Sequence, residues 1–317
     1  MNQKKDKKYF HTSVMKKEVI KYLKIKKNGI YIDATFGYGG HTKEILKKLG
    51  KNGRVYAIDK DPETTKQAEK IADSRFHFIN GNFSKIYNYV VNLGIKKKID
   101  GILFDLGISS PQLDNPNRGF SFSKDGPLDM RMNQKNYVSA SRWLKQAKEK
   151  KIHIILKKYG EERYSKKIAR AIKKQNKKKM ITRTNELSKL ICDTIPILNK
   201  KRKKHPATRS FQAIRIYINQ ELKNLDIALK NILDIMNKKS RILIISFHSL
   251  EDKQVKKFIL NNSTYNNIPT KLSILENDLK KQKKIRLKNI KKILPSKNEI
   301  KKNPRSRSAI LRVSEII

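Results

Sequence analysis

Three carboxylates stand at the ends of three apolar runs. Asp33 closes Gly29-Ile30-Tyr31-Ile32, Asp59 closes Arg54-Val55-Tyr56-Ala57-Ile58, and Asp105 closes Ile99-Asp100-Gly101-Ile102-Leu103-Phe104. Between the first two lies a glycine-rich turn, Ala34-Thr35-Phe36-Gly37-Tyr38-Gly39-Gly40. A strand, a glycine turn and a helix start form a cofactor cradle. Glycine lets the backbone approach a ligand, and the first helical N–H groups face it. A carboxylate closing the second strand suits a bidentate hydrogen bond to ribose hydroxyls, and Asp59 follows Gly40 by 19 residues.

These features alone fit a dinucleotide and S-adenosylmethionine (SAM) equally. Three details favour SAM. The turn reads Gly37-x-Gly39-Gly40 and not G-x-G-x-x-G. Asp33 sits at the end of the first strand, placed to orient a cationic amino group. The following helix has no further glycine for close packing against a pyrophosphate. The bland alternative makes these ordinary turn glycines, with Asp33 capping the helix.

Asp105-Leu106-Gly107-Ile108-Ser109-Ser110-Pro111-Gln112 follows the fourth strand. Ligands of doubly wound sheets bind beyond the carboxyl ends of the strands, so this segment belongs to the site. Enzymes that methylate exocyclic amines of bases carry a polar, proline-containing segment here. This version is divergent and lacks the usual aromatic. The amino nitrogen of cytosine or adenine is conjugated with its ring and is a poor nucleophile. A group that accepts its N–H bonds favours pyramidal nitrogen and can receive the proton, which makes Asp105 the candidate catalytic residue. No cysteine lies near residues 105–112. Cys192 sits among apolar residues and reads as core, which disfavours covalent attack on a pyrimidine C6. No metal is required. His248, with Glu251 and Asp252, lacks enough ligands for zinc and reads as a rim cluster.

The elements that position these residues alternate. Strands are predicted at 29–33, 54–59, 76–79 and 99–105, with helices at 41–49, 62–72 and 87–93 between them. Such alternation implies right-handed crossovers and a mostly parallel sheet. It then stops for over a hundred residues. A loop-like stretch at 107–132 precedes helices at 143–156, 161–174, 184–195 and a long, breakable one at 208–236. His205-Pro206-Ala207-Thr208-Arg209 starts that last helix, with Arg209 and Arg215 able to face RNA phosphates. Strands at 241–247 and 309–313 resume the sheet. The basic, low-complexity stretch 277–304 reads as surface loop or poorly ordered chain. The domains expected are thus 1–111 with 207–317, interrupted by a helical insertion at 112–206.

Composition sets the surroundings. Against 28 acidic residues stand 75 basic ones, a formal charge of +47 over 317 residues. Such a chain is attracted to polyanions, nucleic acid above all. Yet 59 of the basic residues are Lys and 16 are Arg. With abundant Ile and Asn, that bias fits drift toward A/T-rich codons, and bidentate phosphate contacts favour Arg. One cysteine excludes an intramolecular disulfide framework. No apolar run approaches the roughly 18 residues of a membrane span, and the start lacks a secretory apolar region, so a soluble cytoplasmic chain is expected.

Ordered blocks along nearly the whole chain carry a resemblance. They are His11-Thr12-Ser13-Val14, residues 32–41, 105–113, 118–122, 125–132, 159–163 and 205–209, Ile245-Ser246-Phe247-His248-Ser249-Leu250-Glu251-Asp252, and 303–308. Together they resemble the RsmH (MraW) family of bacterial small-subunit rRNA cytosine-N4 methyltransferases. The resemblance implies a class I SAM-dependent methyltransferase fold, α/β and Rossmann-like, with the insertion as a helical substrate domain. It implies SAM as donor and a decoding-region cytosine of 16S rRNA, in the small ribosomal subunit, as acceptor. It further implies cofactor contacts from Gly39, Gly40, His41, Asp59, Phe83, Asp105 and Gln112. From the residues alone, Phe83 reads as a core aromatic and Gln112 as a loop residue. A NAD-dependent oxidoreductase on the same sheet, or a basic RNA-binding module with a decayed cofactor site, are the competing readings.

Overall fold

The structure is a computed structural model that describes residues 13–135, 138–196, 205–264 and 285–317. His11 and Thr12 of the first block, and the part of the basic stretch before residue 285, lie outside the described residues. The chain forms two compact units. One carries the sheet and comprises residues 13–107 with Leu222–Ile317; the other, Ile108–Glu221, is helical.

Seven strands make one sheet: β1 Ile30–Asp33, β2 Arg54–Asp59, β3 Phe76–Asn80, β4 Ile99–Asp105, β5 Met236–Ser246, β6 Leu287–Ile293 and β7 Ile310–Ile316. Their order is β3-β2-β1-β4-β5-β7-β6. Neighbours among β1 to β5 run parallel, and β7 is antiparallel to both β5 and β6. Side chains alternate along the central strands. Ile102, Phe104, Ile242 and Ile244 enter one apolar cluster, while Leu103, Leu243 and Ile245 enter another. Both faces are therefore buried, which is why these strands read as unbroken apolar runs.

Helices α1 Lys16–Leu23 and α2 Gly40–Leu46 cover one face, through Val19, Leu23 and Ile45. The short α3 Thr65–Ala68 follows a 3-10 turn over Pro62–Thr64, and α4 Ile86–Asn92 packs on the opposite face. The helical unit holds α5 Ser110–Asp114, α6 Ala140–Gln146, α7 Glu149–Gly160, α8 Ser165–Lys178, α9 Thr184–Thr194 and α10 Thr208–Asn219. It has its own core, in which Leu144, Ile152, Leu156, Ile168, Ile172, Leu187 and Ile214 are fully buried. The chain then re-enters the sheet unit with α11 Glu221–Ile235 and α12 Ser249–Ser263, which join α4 on its face, and adds α13 Lys297–Lys302.

Several boundaries differ from expectation. The helix expected at 143–156 is two helices, because Ala147 and Lys148 are both extended (ψ 139° and 147°) with no Gly or Pro to announce the break. The long helix at 208–236 is divided at Gln220, whose φ is +50°. The loop expected over 277–304 is corrected where it is described. Leu287–Ile293 is the outer strand, with Leu287 buried and its lysines exposed, and Lys297–Lys302 is a helix capped by Ser296. An edge strand covered on one side needs few apolar residues, so lysines concealed it.

Candidate active site

The strand order reverses around β1, which has β2 on one side and β4 on the other. The chain leaving β1 is stitched to both. Ala34 N–H donates to the Leu103 carbonyl and Phe36 N–H to the Ile58 carbonyl, each at 2.9 Å. A crevice at the carboxyl ends of the strands is the place where doubly wound sheets hold ligands. Gly39 takes φ +75°, a left-handed conformation that closes the turn. Gly40 has a different reason to be glycine: a Cβ there would run into the Ser13 hydroxyl.

Asp59 faces this turn. Its Oδ2 accepts the Gly37 N–H at 2.7 Å and its Oδ1 accepts the Asp61 N–H at 2.9 Å. Burial, partly offset by those two N–H groups, pushes its pKa up to about 6. A carboxylate has four lone-pair sites, so Asp59 can hold the turn and still accept ribose hydroxyls.

Asp105 and His41 supply the polar end of the crevice. The Asp105 N–H is tied to Thr35 Oγ1 at 2.6 Å, which fixes the strand end. Its Oδ2 lies 3.4 Å from His41 Nε2. Its Oδ1 is buried and makes no hydrogen bond, and neither ring nitrogen of the buried His41 makes one. Buried polar groups are normally satisfied. Three unsatisfied atoms between the end of β4 and the first turn of α2 fit a polar ligand. Phe83 opens the turn after β3, half-buried and edge-on to Phe104 (5.7 Å between centroids, 88°). Its placement serves the core and still leaves part of the ring for a base. The donor set of the sheet unit therefore fits SAM: an acceptor for a sugar, a carboxylate and imidazole, and an aromatic ring.

Asp33 is turned inward, toward the threonines of the turn. It is wholly buried, its Oδ1 accepts the Thr35 N–H at 3.2 Å, and its Oδ2 accepts the Thr42 hydroxyl at 2.7 Å. Burial raises its pKa. In this structure both of its carboxylate oxygens order the turn. Thr35 and Thr42 thus matter to the site and were missed; the signal was two hydroxyls placed two and nine residues after a strand-end acid.

Other candidates fall elsewhere. Gln112 belongs to the helical unit, where it closes the capping box of α5, its Oε1 accepting the Ser109 N–H at 2.9 Å. Arg215 is engaged with Glu221 through two hydrogen bonds of 3.0 Å, so it is not held ready for phosphate. Cys192 is half-buried at the rim of α9, not in the core, with Sγ 3.9 Å from His205 Nε2. His248 caps α12 by accepting the Glu251 N–H at Nδ1, and its Nε2 lies 3.1 Å from Glu251 Oε1.

A seven-stranded sheet of this order, a glycine turn after β1 and an acid closing β2 define a class I SAM-dependent methyltransferase. The family and its curated relatives agree. The chain belongs to the MraW methylase family, whose pattern it matches over residues 8–317. It is 56% identical to the ribosomal RNA small subunit methyltransferase H of Buchnera aphidicola subsp. Acyrthosiphon pisum (strain APS), covering 96% of this chain and 97% of the relative. It is 55% identical to the protein of that name from Buchnera aphidicola subsp. Baizongia pistaciae, covering 97% of each. A solved rRNA methylase from Streptococcus thermophilus overlays with a TM-score of 0.38 at 12% identity, over 95% of this chain and 94% of its own. SAM is the methyl donor, and the dinucleotide reading is set aside.

Proposed function

We propose that this chain transfers a methyl group from SAM to the exocyclic N4 of a decoding-region cytosine in 16S rRNA. Its relatives named as ribosomal RNA small subunit methyltransferases support the substrate class. The observation that carries the chemistry is the Asp105 carboxylate, whose Oδ1 is buried and unspent at the end of β4. When bound, SAM supplies an activated methyl group on a sulfonium, a good leaving group. Asp105 accepts an N–H of the amino group, draws the nitrogen toward pyramidal geometry and stands as the proton acceptor. His41 lies beside that carboxylate, Asp59 holds the donor's sugar, Phe83 packs its base, and Gly39 and Gly40 shape the turn beneath it. Gln112 is kept as a cofactor contact on the family resemblance alone. The helices, including the insertion 112–206, recognise the RNA, whose target base is turned out of its stack because chemistry on a base needs exposure.

Mass mapping of modified nucleotides in 16S rRNA, from cells with and without this gene, tests the reading. N4-methylcytidine in the decoding region that vanishes without the gene is the expected result. Unchanged cytosine modification, or a methyl group at carbon 5, would overturn it.

A further inference from the structure

We propose that the solvent face of α8 is a docking surface for the phosphate backbone of RNA. The proposal rests on the rRNA reading and adds which side chains grip the acceptor. All seven ionisable side chains of Ser165–Lys178 are basic. The helix is fixed in rotation by its opposite face: Ile168, Ala169 and Ile172 are fully buried. Asn176 is locked there too, donating to the Leu144 carbonyl at 3.2 Å and accepting the Ile181 N–H at 2.9 Å. At 3.6 residues per turn, the seven basic positions fall within an arc of about 140°, and Lys166 to Lys178 spans about 18 Å.

These charges are largely unspent. Arg170 reaches Glu149 only at 3.9 Å, and Lys173 donates to the Lys145 carbonyl at 2.8 Å. Lys166, Lys167, Lys174, Lys177 and Lys178 have no acidic partner among the described residues. Codon drift does not explain this face. Drift scatters lysine over surfaces that keep their acids, as in α11, where Lys230 pairs with Asp226 at 2.6 Å. The α8 pattern also works against the helix itself. Lys166 and Arg170, Arg170 and Lys174, and Lys174 and Lys178 are like charges four residues apart. Lys166 and Lys167 sit in the first turn, against the helix dipole. A polyanion laid along the face would relieve all of these.

The occupant is phosphate backbone for two reasons. Lysines are flexible point charges that position a backbone without reading sequence, and no aromatic side chain interrupts the stripe to stack on bases. The apolar side of α8 is already spent in the core, so nothing remains to insert into a bilayer.

The test compares the full-length chain with a variant carrying Lys166→Gln, Lys167→Gln, Lys174→Gln and Lys177→Gln, all at exposed positions. Binding to small ribosomal subunits from cells lacking this gene is measured against salt concentration. The slope of log affinity against log salt should shrink by about 0.7 to 0.9 for each phosphate that is no longer neutralised, and affinity at low salt should fall at least about tenfold. SAM affinity should stay unchanged, the thermal midpoint should hold or rise because like-charge pairs are relieved, and arginine at the same four positions should restore binding. A variant with the parent's slope and affinity overturns the docking face and leaves the methyl-transfer reading intact. So does a variant that loses binding to anionic phosphatidylglycerol vesicles yet keeps it for the subunit. A parent chain that binds with this salt slope but transfers no methyl group has the opposite meaning: the docking face stands and the proposed function fails.

Discussion

Asp105 and His41, 64 positions apart in the sequence, meet at the crevice with Oδ2 3.4 Å from Nε2, and the second carboxylate oxygen is buried with no hydrogen bond. On the proposed reading, this oxygen receives a group that arrives with the substrate. Asp105→Asn keeps the shape and removes the acceptor charge. It should lower the rate of methyl transfer about 100-fold or more, in the range general-base groups supply, while SAM affinity changes by a few-fold at most. Single-turnover transfer of labelled methyl to unmodified subunits, beside calorimetric SAM binding, measures both. Full turnover with unchanged SAM affinity would remove Asp105 from the chemistry.

Asp59 should give SAM binding and stability opposite pH dependences. Burial raises its pKa from an ordinary value near 3.8 to about 6. Its contribution to folding is therefore fully present below about pH 4 and is lost as pH rises through 6. Asp59→Asn should compare more favourably with the parent in thermal stability at pH 7.5 than at pH 5. Ribose hydroxyls are better accepted by the ionised form. Parent SAM affinity should then fall as pH drops below about 6, whereas Asp59→Asn should bind at least about tenfold more weakly at pH 7.5 with a flatter profile. Calorimetry across this range decides; a parent affinity that rises on acidification would contradict the role.

Thr42 is predicted to act on stability, through Asp33. Thr42→Val removes the hydroxyl that Asp33 Oδ2 accepts at 2.7 Å inside the fold. A buried acceptor left unpaired costs about 1–3 kcal/mol, and Thr42→Ser, which keeps the donor, should cost far less. Urea unfolding measures the difference. Where both variants are folded, SAM affinity should match the parent within about twofold. Loss of SAM binding at unchanged stability would instead place Asp33 against the donor.

Much of this was legible because strands buried on both faces write themselves plainly. Arg54–Asp59 and Ile99–Asp105 follow from the apolar runs with their observed bounds, and with them the positions of Asp59 and Asp105. What stayed hidden was direction and partnership. Asp33 occupies its expected position, but whether its carboxylate faces a ligand or Thr42 depends on packing around the turn. The His41–Asp105 approach joins elements far apart in sequence, and no local spacing encodes it. Ser249–Ser263 is hard to read as a helix because its start is capped by a histidine in place of the usual Ser, Thr, Asp or Asn. Phe83 shows the reverse: its core contact with Phe104 was readable as an apolar position, and only the family likeness gave it a ligand.

Asn219 secures the loop that precedes α6, and its replacement gives a prediction with a pH sign. Its Nδ2 donates to the Met130 carbonyl at 2.7 Å and its Oδ1 accepts the Met132 N–H at 2.8 Å, both buried. Met130 itself is left-handed, at φ +60°, a conformation a side chain enters only when its surroundings impose it. Arg118, almost fully buried, donates to the carbonyls of Arg131 and Met132 from the other side. Asn219→Leu strands two backbone groups and should cost about 2–4 kcal/mol, as two unmade buried hydrogen bonds would. Asn219→Asp keeps an acceptor for the Met132 N–H but sets a carboxylate against the Met130 carbonyl. It should be as damaging at pH 7.5 and recover part of its stability near pH 5, where a protonated carboxyl can donate again. Urea midpoints for both variants and the parent at the two pH values separate the cases. If the Leu and Asp variants respond alike to acidification, the amide is not the clamp that holds Met130 in place.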